Sequence, residues 1–277
     1  MKNVDSLGDR MKDYENVNRI YLTRRLPLIL RIDGCHFHTY TKHFNKPFDR
    51  VLSDAMWETA KELCANISGA KLAYTQSDEI SILITDYDNL DTEPWFSKNL
   101  QKMTSVAASM ASIFFYQAHT FALKAFISEC EAEEYEIPEW VSAHEDALRN
   151  ESAIFDCRAF ILPKEEVNNY FLWRQQDCRR NSVEATARVL FSNKELFRKS
   201  TEEMKEMMRT QKNTEWEYIP SFYKNGACVR KVTRVETFVP PVPNKPPVEV
   251  SRKRWEVDTH IPIFSKNPEY INELVNI

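Results

Sequence analysis

Leu26-Pro27-Leu28-Ile29-Leu30-Arg31-Ile32-Asp33-Gly34 is the stretch on which the reading of this chain turns. It is a short, almost continuous apolar run, the pattern of a buried strand, and it stops at an Asp-Gly pair. Further on, Lys71–Gln76 and Ile80–Thr85 read as two strands around Ser77-Asp78-Glu79, a hairpin. Between these segments Asp49 is placed to N-cap a helix from Arg50 to about Ile67, with Leu52, Met56, Ala60, Leu63 and Ile67 on one face. A long helix is predicted from about Ser97 to Phe126, and Phe155–Leu162 resembles another strand. Strand–helix–strand–strand–helix–strand is the order of an α+β fold with a split βαβ, ferredoxin-like core.

The flanking segments read as additions to that core. Residues 2–24 suggest one leading helix, and the acidic stretch 129–151, with Pro138, a surface loop or insertion. Val167–Phe191 and Ser200–Arg209 look helical, the second opened by a Ser200/Glu203 capping box. Five prolines between Val239 and Val248 mark a linker or extended arm. The expected organisation is one compact unit: an N-terminal catalytic region over 1–150, the rest of the core with its helices over 151–238, and a Pro-rich linker with a C-terminal arm over 239–277.

Composition narrows the function. The 277 residues are 43% hydrophobic and 28% charged, enough to bury a core. The four glycines, Gly8, Gly34, Gly69 and Gly226, fit neither a Walker A loop nor a dinucleotide fingerprint. Net charge is −4, with eight acids and no base between Glu129 and Asp146, so the rest of the chain is slightly basic and a local cationic face is possible. The six cysteines form no C-x-x-C pair, and the histidines do not join them at zinc spacing. With no signal peptide and no apolar run of membrane-spanning length, the expectation is a cytoplasmic protein with reduced thiols and no membrane partner.

Asp33 ends an apolar strand and Asp78-Glu79 sits in the tight connection of an apolar hairpin. A split βαβ core can lay that strand beside the hairpin and bring Asp33 and Asp78 together. Two neighbouring carboxylates repel, and a pair of Mg²⁺ ions would resolve the repulsion while binding nucleotide phosphates. Gly34, without a β-carbon, would allow close backbone approach. Asp-Gly and Ser-Asp-Glu are also ordinary turn formers, and spacing alone leaves both readings open.

Several blocks, in order, carry a resemblance. Arg31-Ile32-Asp33-Gly34-Cys35-His36-Phe37-His38, Lys46-Pro47-Phe48-Asp49-Arg50 and Tyr74-Thr75-Gln76-Ser77-Asp78-Glu79-Ile80-Ser81 resemble the signature blocks of the tRNA-histidine guanylyltransferase superfamily. Phe155-Asp156-Cys157-Arg158 stands where that family has Phe-Asp-Gly-Arg. Trp173-Arg174-Gln175-Gln176-Asp177-Cys178 and Tyr223-Lys224-Asn225-Gly226 are similar to two later motifs. The resemblance implies a polymerase-palm-like core that adds nucleotides in the 3′-to-5′ direction. A 5′-monophosphorylated tRNA is adenylylated with ATP, and the 3′-hydroxyl of GTP or another nucleoside triphosphate then attacks the activated end, both steps assisted by two Mg²⁺ ions.

Carried over by motif, Asp33 and Asp78 would bridge the metals, with the Gly34 carbonyl as a further ligand and Glu79 as an acid needed for activity. Cys35, His36, Phe37, His38 and Ser77 would line the nucleotide site, although Phe37 on its own reads as core. His36 and His38 would point the same way if their segment stays extended. Lys46 and Lys102, with Lys98 as the alternative to the latter, would meet triphosphate. Arg174, Arg179, Arg180 and Asn181 are the candidates for tRNA, with pairing of Arg174 to Asp177 and a buried Trp173 as the plainer alternatives. Arg252-Lys253-Arg254 is a further basic cluster.

The chain departs from the single-guanosine branch in one motif. Arg179-Arg180-Asn181-Ser182 stands where that branch has His-Ile-Asn-Asn. This form is similar to the bacterial guanylyltransferase-like branch, which implies templated repair of 5′-truncated tRNAs. Addition of one guanosine to histidine tRNA, a non-catalytic RNA-binding relative and a nucleotide cyclase are the competing readings. A homotetramer is implied by the larger relatives.

Overall fold

A computed structural model describes residues 6–150, 152–238 and 248–276. Six strands, β1 (Leu28–Cys35), β2 (Ala70–Gln76), β3 (Glu79–Ile84), β4 (Ile154–Ile161), β5 (Ala227–Phe238) and β6 (Val248–Asp258), form one antiparallel sheet of order β4-β1-β3-β2-β5-β6. The helices are α1 (Ser6–Asn16), α2 (Phe37–Tyr40), α3 (Arg50–Asn66), α4 (Leu100–Ala132), α5 (Val141–Asn150), α6 (Lys164–Leu190), α7 (Asn193–Leu196), α8 (Thr201–Lys212), α9 (Ser221–Asn225) and α10 (Glu269–Asn272). Helix α3 carries the chain from β1 to β2 across β3, and α4 carries it from β3 to β4 across β1. That is the split connection read from the alternation of the sequence.

Period-two alternation gives β1 two apolar faces. Leu28, Leu30 and Ile32 pack with Met56, Leu63, Met103 and Phe115 under α3 and α4. Ile29 packs with Leu72, Tyr74, Phe171 and Phe264 on the side of α6 and the C-terminal segment. The α3 N-terminus is held as its sequence requires: Asp49 Oδ1 accepts the Leu52 N–H at 2.7 Å. Ser200 and Glu203 complete the capping box of α8, and Ser192 and Glu195 build a second one on α7.

Four expectations change. The leading helix ends at Asn16, after which the chain runs along the start of α4, with Leu22 N donating to Lys98 O at 3.0 Å and Leu100 N to Ile20 O at 2.9 Å. The acidic stretch is a loop only over residues 133–140. Helix α4 continues to Ala132, and α5 packs back on it by burying Val141, His144 and Ala147. The proline-rich residues 239–247 lie outside the described residues, but the stretch read as an arm is a strand. It pairs with β5 from Cys228↔Asp258 to Phe238↔Val248. Beyond it Ile261, Phe264, Ile271 and Val275 return to the core.

Candidate active site

The strand register assembles the carboxylates. Asp33 on β1 stands opposite Glu79 on β3 and opposite Asp156 on β4, while Gly34 N donates to Asp78 O at 3.1 Å. Asp33 and Asp78 are therefore brought together, as the split topology demands. Neighbouring Ile32 and Ile80 are buried under α3 and α4, so alternation turns this row of acids to the other face. Two residues along the strands lies a basic row, Arg158 and Arg31. Arg31 Nη2 reaches Asp33 at 3.3 Å and Glu79 at 3.0 Å, and Arg158 reaches Asp156 at 3.8 Å. Burial, with the charges of Asp33 and Glu79 added, raises the Asp78 carboxyl above its usual range, against the opposing pull of its own backbone N–H and the Ser77 hydroxyl.

Glu79 is different from its neighbours. It is 5% exposed and both of its oxygens are occupied. Arg174 donates to Oε1 at 2.8 Å and to Oε2 at 2.7 Å, Arg31 Nε to Oε2 at 3.1 Å, and the Ser81 hydroxyl to Oε1 at 3.2 Å. Placing Arg174 on tRNA is thereby corrected: it is 5% exposed and divides its guanidinium between Glu79 and Asp177. Trp173, in contrast, is no core residue. It is 51% exposed, with the guanidinium groups of Arg31 and Arg174 at 5.9 and 4.4 Å from its ring.

The turn after β1 is not extended. His36 adopts a left-handed conformation (φ 56°) as N-cap of α2, so His36 and His38 lie on a bend, both exposed, with ring centroids 6.2 Å apart. Phe37 is buried between Phe115 and Phe155, at centroid distances of 5.4 and 4.9 Å. That packing explains Gly34: a Cβ there would fall 2.3 Å from Phe37 Cδ2. The Cys35 thiol lies 3.8 Å from an Asp156 oxygen, and burial and that carboxylate both push it up, away from thiolate character.

Beside Ser77 opens a cleft between the start of α3, α6 and α9. Its walls include Phe48 and Tyr223, stacked at 4.3 Å, with Trp57, Gln76 and Asn181. These aromatic residues lie inside or near the quoted blocks but carry no charge to draw notice. Lys46 precedes the cleft residue Pro47 and is exposed, its Nζ donating to Thr41 O at 3.0 Å. Arg179 is half-buried against Trp216 at 5.0 Å and bonded to Asn225, while Arg180 and Asn181 are exposed and tied to Asp177. Arg252 and Arg254 both pair with Glu236 across the β5–β6 hairpin.

Lys102 is not brought to this cluster. It lies in the first turn of α4 with its Nζ 4.8 Å from the Phe96 ring, ten residues before Ser112, whose hydroxyl accepts the Phe155 N–H, and so about 15 Å back along the helix. Lys98 is buried there too, donating to Thr23 O, Leu26 O and Asp86. Among the described residues no three His, Cys, Asp or Glu side chains form a ready-made metal cage, and no helix is long and apolar enough to cross a membrane.

Comparison with known proteins places these features. Residues 8–163, more than half of the chain, match the family model described as Thg1, tRNAHis guanylyltransferase. A probable tRNA(His) guanylyltransferase of Dictyostelium discoideum is 26% identical over 276 residues, covering 95% of this chain and 94% of its own. An uncharacterised mimivirus protein, R259, is 27% identical over 82% of this chain and 77% of its own. Among solved structures, a bacterial tRNA(His) guanylyltransferase (Thg1)-like protein in complex with ATP superposes with a TM-score of 0.77. It is 44% identical, with 97% of this chain and 98% of that one covered. The same kind of protein in complex with GTP gives 0.73 at 41% identity, covering 99% of this chain and all of that one. With its carboxylates gathered on neighbouring strands, an aromatic cleft beginning at Ser77 and the family model matched over more than half its length, the chain belongs to the Thg1 (tRNAHis guanylyltransferase) family of nucleotidyltransferases.

Proposed function

We propose that this chain extends tRNA at its 5′ end in the 3′-to-5′ direction, filling a missing first nucleotide by pairing with the opposite acceptor strand. The observation that carries the proposal is the juxtaposition of Asp33, on the sheet face not covered by α3 and α4, with the turn that holds Asp78, whose neighbour Ser77 lines the cleft walled by Phe48 and Tyr223. We read that face as a palm. ATP and GTP in the related bacterial structures support the cleft as the place of an adenosine or guanosine base. Arg179 and Arg180, in place of the family's His-Ile, support an enzyme that does not depend on the histidine anticodon.

The donor set fits magnesium. Asp33 and Asp78 offer hard oxygens, Asp78 has a carboxylate raised by burial and like charge, and a phosphate completes such a site as side chains rarely do. Asp33, Asp78 and the Gly34 carbonyl would hold the ions, which when bound neutralise phosphate charge and favour ionisation of the attacking hydroxyl. Glu79, saturated by Arg31 and Arg174, acts from behind by fixing the strand on which Asp78 enters. Lys46 lies at the cleft mouth as a cation for the triphosphate, and exposed Trp173 and Arg180 face outward for RNA. Six free cysteines support a cytoplasmic setting, and the exposed apolar side chains of α1 support a homotetramer as part of this reading.

The test is a 5′-monophosphorylated tRNA lacking its first nucleotide, offered ATP, Mg²⁺ and each nucleotide in turn, for a histidine tRNA and an unrelated one. The proposal expects only the complementary nucleotide to be added, to both. Guanosine added to the histidine tRNA alone would overturn templated repair, and RNA bound without any addition would overturn catalysis.

A further inference from the structure

A buried polar chain runs behind the cleft. Tyr40 Oη lies 2.8 Å from His119 Nδ1, His119 Nε2 lies 2.8 Å from His144 Nδ1, and His144 Nε2 lies 2.9 Å from Asp49 Oδ2. All four residues are buried, and they come from α2, α4, α5 and the N-cap of α3. A carboxylate only accepts. With both rings neutral it therefore sets the direction of every bond: His144 Nε2–H donates to Asp49, His119 Nε2–H to His144, and the Tyr40 hydroxyl to His119. Phe44 stacks on His144 at 3.8 Å, and Phe115 lies 5.4 Å from His119, so the chain is walled by aromatic side chains.

What the chain connects gives it a purpose. At one end Tyr40 closes the helical turn that begins at His36 and His38, beside the carboxylates. At the other, Asp49 accepts the Asn45 N–H at 3.0 Å and so closes the loop Asn45–Asp49, which carries Lys46 and the cleft residues Pro47 and Phe48. Asp49 itself lines the cleft. The two segments that face a nucleotide are thus tied through the interior by two histidines that touch neither the cleft nor the acidic row. A simple core would fill this volume with apolar side chains. The fully bonded series instead fixes one relative placement of the two loops.

Resting on the nucleotide reading above, we propose that His119 and His144 are positioning residues for the nucleoside triphosphate. Through Tyr40 and Asp49 they hold the His36–His38 turn and the Lys46–Phe48 loop in the spacing that the triphosphate and base require.

The experiment measures ATP binding by calorimetry, and KM for ATP and for tRNA separately, in the wild-type full chain and in His144→Leu, His144→Gln and His119→Gln. His144→Gln keeps an amide N–H where Nε2–H meets Asp49 and loses only the link to His119. His144→Leu is expected to weaken ATP binding and raise the ATP KM by about tenfold or more, the range seen when outer-shell partners are lost. The tRNA KM should hold within about twofold, and His144→Gln, which keeps the Asp49 bond but breaks the chain at His119, should recover only part of the loss. His119→Gln, the milder change, keeps the proposal testable if His144→Leu does not fold, and is expected to raise the ATP KM by a few-fold. Folded variants that bind ATP as wild type does would overturn the proposal. So would equal losses in both KM values. A wild-type chain that takes up no ATP would instead overturn the nucleotide reading, and with it this one.

Discussion

Arg174 grips Glu79 with both arms of its guanidinium, Nε on one carboxylate oxygen and Nη2 on the other, at 2.8 and 2.7 Å, both groups nearly sealed from water. This pair joins α6 to β3 at the point where the hairpin delivers Asp78. Breaking a buried pair from one side costs about 3–5 kcal/mol, here toward the lower end because Arg31 stays on Glu79. Arg174→Ala should therefore lower the unfolding free energy in urea by that order, whereas exposed Arg180→Ala should stay within about 0.5 kcal/mol of wild type. Equal stability of the two variants would show that Arg174 is not the structural member of the pair.

Asp78→Asn should separate chemistry from folding. Burial first, then like charge from Asp33 and Glu79, disfavours the Asp78 carboxylate, so neutralising it relieves both. Melting temperature should equal or exceed that of wild type, while nucleotide addition falls by at least on the order of 100-fold. A variant that melts early and keeps its activity would contradict both halves.

Acid should loosen the chain between α4 and α5. Burial, with the neighbouring His144 ring, lowers the His119 pKa from an ordinary 6.5 to about 3, against a small opposing pull from Asp49. Between those values the unfolded chain binds a proton that the folded one refuses. Stability is then full above about pH 6.5 and falls as pH drops, by up to about 1.4 kcal/mol per unit from this group. Urea titrations at pH 7, 6 and 5 should show a shallower decline for His119→Gln than for wild type. Parallel declines would remove His119 as the cause.

Trp57 offers a direct view of the cleft. It lines the cavity and meets Phe222 edge-on at 5.2 Å. Titration with ATP should change tryptophan emission, and Trp57→Phe should abolish most of that change while leaving activity within about threefold. An unchanged signal in Trp57→Phe would place the nucleotide elsewhere.

Gly34→Ala should fail for a steric reason. The added methyl would meet the Phe37 ring at 2.3 Å, in a site already filled by Phe115 and Phe155. Overpacking of this kind costs about 1–3 kcal/mol. Adding Phe37→Leu should return part of the lost melting temperature, and no recovery would point to the backbone instead.

Much of this was legible in the chain, for physical reasons. The β1 run and the hairpin around Ser77-Asp78 announce themselves because strands buried on both faces must be apolar and their turns must not. Asp49 and Ser200 act locally, on N–H groups three residues ahead, so the caps could be read directly. Helix α5 was not legible, since its buried face amounts to Val141, His144 and Ala147 within an acidic surround, too sparse for apolar periodicity. The role of Arg174 was hidden because its partner lies 95 residues away. Lys102 is different again: a motif gives a residue's place along the chain, but the length of α4 decides how far from the carboxylates it stands.

Strand β2 has a neighbour on each side, β3 from within residues 8–163 and β5 from beyond them, joined through Leu72↔Arg230, Ala73↔Val229, Tyr74↔Cys228 and Thr75↔Ala227. The border of the family model's match is therefore not a border of folding. A fragment cut at residue 163 would turn an interior strand into an open edge of apolar residues, an invitation to pair with a second copy or to aggregate. It would also strand Glu79 without Arg174. For anyone seeking a minimal enzyme, the working module ends no earlier than β5, and the segment beyond the family model's match is part of the folded body.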